Sequence, residues 1–379
     1  MEGYGIYVHA PWCRTRCPYC AFNVYPDRDS DWAGWAQGVY ADWDQKRAPF
    51  ERAYDQGAHS VYFGGGTPSL APPDQIGQIL ETLPVQPGAE ITLEANPGDL
   101  SEARIDAWRA LGVNRLSLGL QTFNPRLAHL LNRGHTAEQS RALAERVSRA
   151  GFRSWSIDVI FALPGQTLDD LALDLDEMLS LSPPHASLYG LTFEEGTPFG
   201  RAEQSGRMAP MDADLWREQY DIVAERLSAA GLERYEVSNF GRPGHRAVHN
   251  ESVWRGGPYA GLGPGAHGFE PDGHRTLNEA RPEVWAQRPL LSRTLPTPAE
   301  GAIDFVLSTL RHTDGLPLEA LHARHGHRVR LSRLAPLLRP PRDQRPLLAH
   351  DGASLRLTPA GFPVADGVVE RVVDALESG

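Results

Sequence analysis

Through the first two thirds of the chain, short β-like runs alternate with longer amphipathic stretches, and six such pairs in succession leave few architectures open. The candidate strands are Gly5–His9, Ser60–Phe63, Ile91–Glu94, Arg115–Leu120, Ser156–Phe161 and Ala186–Phe193. Helix-like stretches lie near residues 31–47, 74–83, 101–110, 136–150, 167–181 and 212–230. Strands that alternate with helices imply an α/β protein with a parallel sheet, open or closed into a barrel. In both cases ligands are expected at the carboxyl ends of the strands.

The two-residue period of a strand says which side chains share a face. In the fourth strand Leu116, Leu118 and Leu120 fall on one face and Arg115, Ser117, Gly119 and Gln121 on the other. The leucines are expected beneath the outer helices and the polar set inside. The third strand repeats this, with Ile91 and Leu93 outward and Thr92, Glu94 and Asn96 inward, and Asp158 sits likewise between Ile157 and Val159. An interior carrying Glu94, Gln121 and Asp158 is not a plain hydrocarbon core.

From about 235 to 290 the pattern becomes loop-rich, and Leu295-Pro296-Thr297-Pro298 reads as a linker. A helix from about Glu300 to Leu310 follows. The tail then offers a hairpin over Leu347–Thr358 around Asp351-Gly352 and a helix from Val364 to Leu376. These signals divide the 379 residues into a barrel-like domain with a Gly/Pro/Trp-rich extension, 1–290, and a small α+β domain of winged-helix type, 299–379.

The net charge of -11 argues against nucleic acid as the main partner, since such binding depends on neutralising phosphates. Charge is uneven, however. Between Leu321 and Ala349 lie seven arginines, at 324, 328, 330, 333, 339, 342 and 345, against the single acid Asp343. They read as a solvated face or as partners for carboxylates, which guanidinium groups bind bidentately. No run of 18 apolar residues occurs, and Met1-Glu2-Gly3-Tyr4 lacks a signal peptide's basic and apolar regions, so a cytoplasmic protein without a transmembrane segment is expected.

All three cysteines of the chain, Cys13, Cys17 and Cys20, fall within eight residues, directly after the first strand. Thiols this close serve metal or redox chemistry more often than disulfides. A zinc site needs a fourth protein ligand, which His9 or a distant histidine can supply. A [4Fe–4S] cluster has four irons, so three thiolates leave one open to a cofactor. The spacing alone leaves zinc and iron–sulfur both standing. A glycine run, Gly64-Gly65-Gly66-Thr67-Pro68, follows the second strand, where missing Cβ atoms let a ligand approach the backbone, though such runs are often only turns.

The Cys-x3-Cys-x2-Cys spacing, with aromatic Tyr19 before the last cysteine, resembles the radical S-adenosylmethionine (radical SAM) superfamily. The resemblance implies a partial (β/α)6 barrel whose [4Fe–4S] cluster chelates S-adenosylmethionine at its open iron and cleaves it to a 5′-deoxyadenosyl radical. Further phrases resemble the oxygen-independent coproporphyrinogen III oxidases and their relatives: Tyr7-x-His9-x-Pro11-Trp12-Cys13, Gly64 to Ser69, Arg115-x-Ser117-x-Gly119-x-Gln121, Asp158 with Leu163-Pro164-Gly165-Gln166-Thr167, and Tyr235-Glu236-x-Ser238-Asn239-Phe240. They run in family order over about residues 4–270. The resemblance implies that Tyr7 lies beside the cluster and Tyr19 beside the adenosyl group. It places Gly65, Gly66, Thr67 and Gly190 around one S-adenosylmethionine, and Glu94, Gln121, Arg133, Asp158 and His267 against one or other of two. The plain alternative for each is a hydrogen-bonded structural residue.

Two features favour the haem chaperone branch of that family over the oxidases. The oxidases have a fourth cysteine two residues after the third, where this chain has Phe22. Val248-His249-Asn250-Glu251-Ser252-Val253-Trp254 resembles the chaperones' H-N-x-x-Y-W motif, with Val253 in place of tyrosine. The resemblance implies haem binding, with His249 as the candidate iron ligand, and transfer to an unknown acceptor protein, with peripheral membrane contact compatible. An electron donor such as a flavodoxin or ferredoxin is implied where radical chemistry occurs. The alternative is the oxidase, which decarboxylates porphyrin propionates.

Overall fold

Each sequence run with period-2 alternation became a strand in the computed structural model, which describes residues 3–27, 30–341 and 344–378. The six are β1 (Gly5–Ala10), β2 (Ala58–Gly65), β3 (Val85–Ala95), β4 (Arg115–Gln121), β5 (Ser154–Phe161) and β6 (His185–Gly190). They pair in parallel in chain order, each with the next. The longer helices between and after them are α1 (Trp32–Ala53), α2 (Pro73–Thr82), α3 (Glu102–Ala110), α4 (Ala137–Arg149), α5 (Leu168–Ser180) and α6 (Ala213–Ala229). Their starts have local causes. Thr136 and Thr167 each close a capping box, with Gln139 and Asp170, which satisfies amide groups that the first helical turn leaves unpaired.

Leu116, Leu118 and Leu120 are fully buried, as are Val61, Leu93, Ile157 and Val159 on the neighbouring strands. Burying a leucine side chain contributes roughly 2–3 kcal/mol, so this face holds the helices to the sheet. One residue of register is lost between Gly119 and Gln121, and Gln121 adopts a positive φ of 69°. The strand therefore bulges where it meets the polar interior, a distortion common beside functional sites.

The loop-rich expectation for 235–290 is only partly met. Short strands there extend the sheet at both edges: β7 (Asn239–Gly241) runs antiparallel to β6, while β8 (Tyr259–Leu262) pairs in parallel with β1. β9 (His267–Phe269), β10 (Arg275–Asn278) and β11 (Leu290–Thr294) continue antiparallel from β8, and with the two-residue strand Glu233–Arg234 the sheet reaches twelve strands. A seven-residue helix, α7 (Val248–Trp254), precedes β8. Strands of three or four residues show too few alternations to be read from sequence. The chain's one lysine fastens this extension to α1: the buried Lys46 ammonium pairs with Asp42 at 2.8 Å and donates to Gly261 O at 2.7 Å and Asn278 Oδ1 at 2.5 Å.

The tail contains α8 (Pro298–Leu310), β12 (Leu316–Pro317), α9 (Leu318–His325), the hairpin β13 (Leu348–His350) and β14 (Ser354–Leu357), and α10 (Ala365–Asp374). The three strands form their own antiparallel sheet in the order β12-β14-β13. Of the arginine-rich segment, Arg342 and its acid Asp343 lie outside the described residues, as do Met1 and Glu2. The other six arginines are exposed, and several are engaged within the tail: Arg330 pairs with Glu377 and Arg333 donates to Asp374 O. Among the described residues no helix is long and apolar enough to cross a membrane.

Candidate functional site

β1 ends at Ala10 and delivers the chain straight into the cysteine loop, whose three thiols are half-buried and unbridged. Cys20 N donates to Cys17 O at 3.2 Å, closing a turn that aims the side chains to one side. Thr67 Oγ1 donates to Cys13 Sγ at 3.4 Å, and Arg133 Nη1 reaches Cys17 Sγ at 3.6 Å. Burial pushes the Cys13 thiol up to about 11 and that of Cys20 in the same direction. Left alone, these are neutral thiols. A metal ion holds such sulfurs as thiolates, and the nearby guanidinium and hydroxyl favour that charge.

The glycine run serves this loop directly. Gly66 N donates to Ala10 O at 2.7 Å and Thr67 N to Trp12 O at 2.8 Å. A Cβ at Gly66 would stand 2.6 Å from Trp12 O and 2.8 Å from Ala10 O, and one at Gly65, whose φ is +107°, would meet the His9 ring at 2.4 Å. The absent side chains thus admit the protein's own loop, in addition to any ligand that approaches the backbone there. Gly190 is similar: a Cβ there would lie 2.8 Å from Trp216 Nε1.

Above the carboxyl ends of β1 to β6 opens a cavity of about 630 Å³. Its walls include all three cysteines, Tyr19, Gly65, Gly66, Thr67, Glu94, Gln121, Arg133, Asp158 and Gly190. Six strands laid flat span roughly 24 Å at about 4.8 Å per neighbour. For residues after β1 and on β6 to face one cavity, the sheet must curl around it.

Two carboxylates reach into this space from the strands themselves. Glu94 accepts from Tyr62 Oη at 2.7 Å and from Gly65 N at 3.2 Å. Asp158 accepts from Ser117 at 3.0 Å and Ser156 at 3.2 Å. Burial raises both acids, Glu94 to about 7, and Asp158 adds to the rise at Glu94. Arg133 brings positive charge to the cysteine side of the cavity. Its Nη2 is held at 2.5 Å by both Asn96 Oδ1 and Gly119 O, while its buried Nε has no partner. Sulfur donors, two acids that ionise fully only beside donors or cations, and an unsatisfied guanidinium N–H together fit a cluster with a polar, partly cationic ligand.

Three residues named from the resemblance, Tyr7 and His267 for the S-adenosylmethionine site and His249 for haem, stand outside the cavity wall. Tyr7 lies inside the sheet, its hydroxyl 3.0 Å from His9 Nδ1, and His267 is exposed on β9. His249 is 5% exposed and lies at the opposite end of the strands, beside Gly5 and Ser60. Its Nδ1 is 3.1 Å from Ser60 Oγ, and the rings of Tyr62, Tyr7 and Tyr259 surround it at 5.3, 6.4 and 6.3 Å. Burial lowers its pKa to about 3, which keeps it neutral. A porphyrin iron has no path to this ring while α7 keeps its seat. Conversely, Phe22 is 65% exposed and lines the cavity where the oxidase pattern has its fourth thiol.

Asn96, Tyr62 and Tyr189 were not singled out as site residues, although Asn96 bridges Thr67 and Arg133 and Tyr189 lines the cavity. The alternation that selected Glu94 also places Tyr62, between buried Val61 and Phe63, on the inner face.

Comparison with known proteins agrees with this geometry. Residues 7–178 match the radical SAM superfamily. The chain is 34% identical over 392 residues to "Heme chaperone HemW" of Mycobacterium tuberculosis strain H37Rv, covering 98% of this chain and 95% of that one. It is 34% identical to the protein of the same name from Escherichia coli K12, covering 82% and 83%. The solved structure of Escherichia coli coproporphyrinogen III oxidase (HemN), a radical SAM enzyme, superposes with a TM-score of 0.79 at 21% identity, over 99% of this chain and 90% of that one, a likeness of fold. Matched over nearly its whole length at this identity, the chain belongs to the HemW heme chaperone family of radical SAM proteins.

Proposed function

We propose that this protein is a cytoplasmic haem chaperone that holds a [4Fe–4S] cluster on Cys13, Cys17 and Cys20, binds S-adenosylmethionine in the adjoining cavity, and passes haem to an acceptor protein. The observation that carries the choice over the oxidase is Phe22, an exposed phenyl ring at the cavity where the oxidase pattern has a thiol. A three-thiolate cluster supplies one open iron and, when reduced by a flavodoxin or ferredoxin, an electron for S-adenosylmethionine. The residues of the chain do the rest. Thr67 and Arg133 donate toward the sulfurs and stabilise negative charge there. Glu94 and Asp158 accept hydrogen bonds from ligand donors, and Tyr19 lines the same cavity beside the cysteines.

His249 can ligate haem iron only when α7 turns outward. The tail, 299–379, is proposed as a winged-helix-like domain distinct from 1–290, with its arginines in reach of an acidic acceptor.

One anaerobic preparation tests the reading. After cluster reconstitution, stoichiometric haem binding without turnover of coproporphyrinogen III is expected, whereas conversion to protoporphyrinogen IX at catalytic rates overturns it. In the same titration His249→Ala decides the ligand role, which an unchanged haem spectrum and affinity would remove.

A further inference from the structure

We infer that Tyr62 is a positioning residue for ligand binding, holding Glu94 in place from beneath the cavity through a single hydrogen bond. The inference rests on the reading that the cavity takes S-adenosylmethionine, and extends it to a residue outside the cavity wall.

The geometry is specific. Tyr62 stands on β2 and Glu94 on β3, and the register pairs Tyr62 with Thr92, so the phenol reaches up the neighbouring strand to Glu94 Oε1 at 2.7 Å. Gly65 N takes Oε2 at 3.2 Å. Each carboxylate oxygen therefore spends one acceptor site on the protein and keeps another to offer the cavity. Tyr62 is itself fixed by ring contacts with Tyr7 at 6.2 Å and His249 at 5.3 Å. The family motif on α7 thus supports the floor of the ligand site through an aromatic column.

The bond also governs charge. The ionisable groups facing Glu94 are Tyr7 on β1, Tyr62 on β2, Asp158 on β5 and Tyr189 on β6. The three phenols are pushed up and stay neutral through ordinary pH, and Asp158 opposes ionisation of Glu94. Donation by Tyr62 is the largest influence favouring the carboxylate, and with it in place the acid sits near 7. Without it, Glu94 stays protonated at neutral pH and offers the ligand one acceptor fewer.

The test measures the dissociation constant of S-adenosylmethionine for the cluster-loaded protein and its Tyr62→Phe variant from pH 6 to 9, at matched iron content, by equilibrium dialysis. Phenylalanine keeps the ring and its packing. Binding to the unchanged protein tightens as pH rises through 7. The variant is expected to bind about tenfold more weakly at pH 7, the scale of one hydrogen bond to a charged group, and to converge on the unchanged protein by pH 9. A deficit equal at every pH, as general loosening gives, or no deficit at all, overturns the inference. The two levels separate cleanly: if the unchanged protein binds no S-adenosylmethionine, the functional reading fails, whereas equal binding by both proteins sinks the role of Tyr62 alone.

Discussion

The two ends of the parallel strands bury polar groups for opposite purposes. At the carboxyl ends Glu94, Asp158 and Arg133 surround an open volume and keep unsatisfied capacity: raised acids, a guanidinium N–H without partner, three thiols. At the amino ends the rings of His249 and Tyr259 pack together, Ser60 bonds the imidazole, and the histidine is neutral. Burial alone does not make a site. What marks one is buried polarity left incompletely answered by the protein.

The sharpest way to break this contrast is at Gly66. Its added Cβ in Gly66→Ala collides with two backbone oxygens, Trp12 O and Ala10 O, neither of which can rotate away as a side chain could. The cysteine loop must shift, and near-complete loss of reconstituted iron is expected in an iron assay. Full iron loading by the variant would show that the glycine run does not set the loop.

The two ends should also differ in pH dependence without any ligand. Glu94 is raised from 4.5 to about 7 in the folded state, so the folded protein binds its proton more tightly. It costs nothing below about 4.5, its cost grows as pH rises to 7, and above that it removes about 3 kcal/mol. His249 is lowered from 6.5 to about 3, so its neutral burial is free above 6.5 and destabilises progressively as pH falls toward 3. In urea melts of the cluster-free protein, Glu94→Gln should flatten the loss between pH 5 and 8, and His249→Gln the loss below 6.5. The same slope in both variants and the parent would contradict the assignment.

How much was legible follows from the same contrast. Strands of six to eleven residues and their helices could be read because alternation and capping repeat often enough to register. Glu94, Gln121 and Asp158 are legible as inward polar residues from strand alternation alone. The strands β7 to β10, of three or four residues each, are not, because tertiary pairing places them, β7 on β6, β8 on β1 and the others outward from β8. His249 carried a motif whose chemistry suggests a ligand, but a motif does not state depth. Only the packing of Gly5 and Tyr259 shows that its ring faces the protein.

The smallest effect expected lies at that closed end. A Cβ at Gly5 would stand 2.8 Å from His249 Nδ1 and 3.0 Å from Ser60 Oγ, side-chain atoms that can each give slightly. Overpacking of this kind typically costs about 1–3 kcal/mol, and the Tyr62 ring stands between His249 and Glu94 in the cavity wall. Gly5→Ala should therefore lower the midpoint of thermal unfolding by several degrees and leave iron content at its parent value. A Gly5→Ala protein that lost its iron would join the two ends into one cooperative unit, and the distinction between an open, chemical end and a closed, structural one would no longer hold.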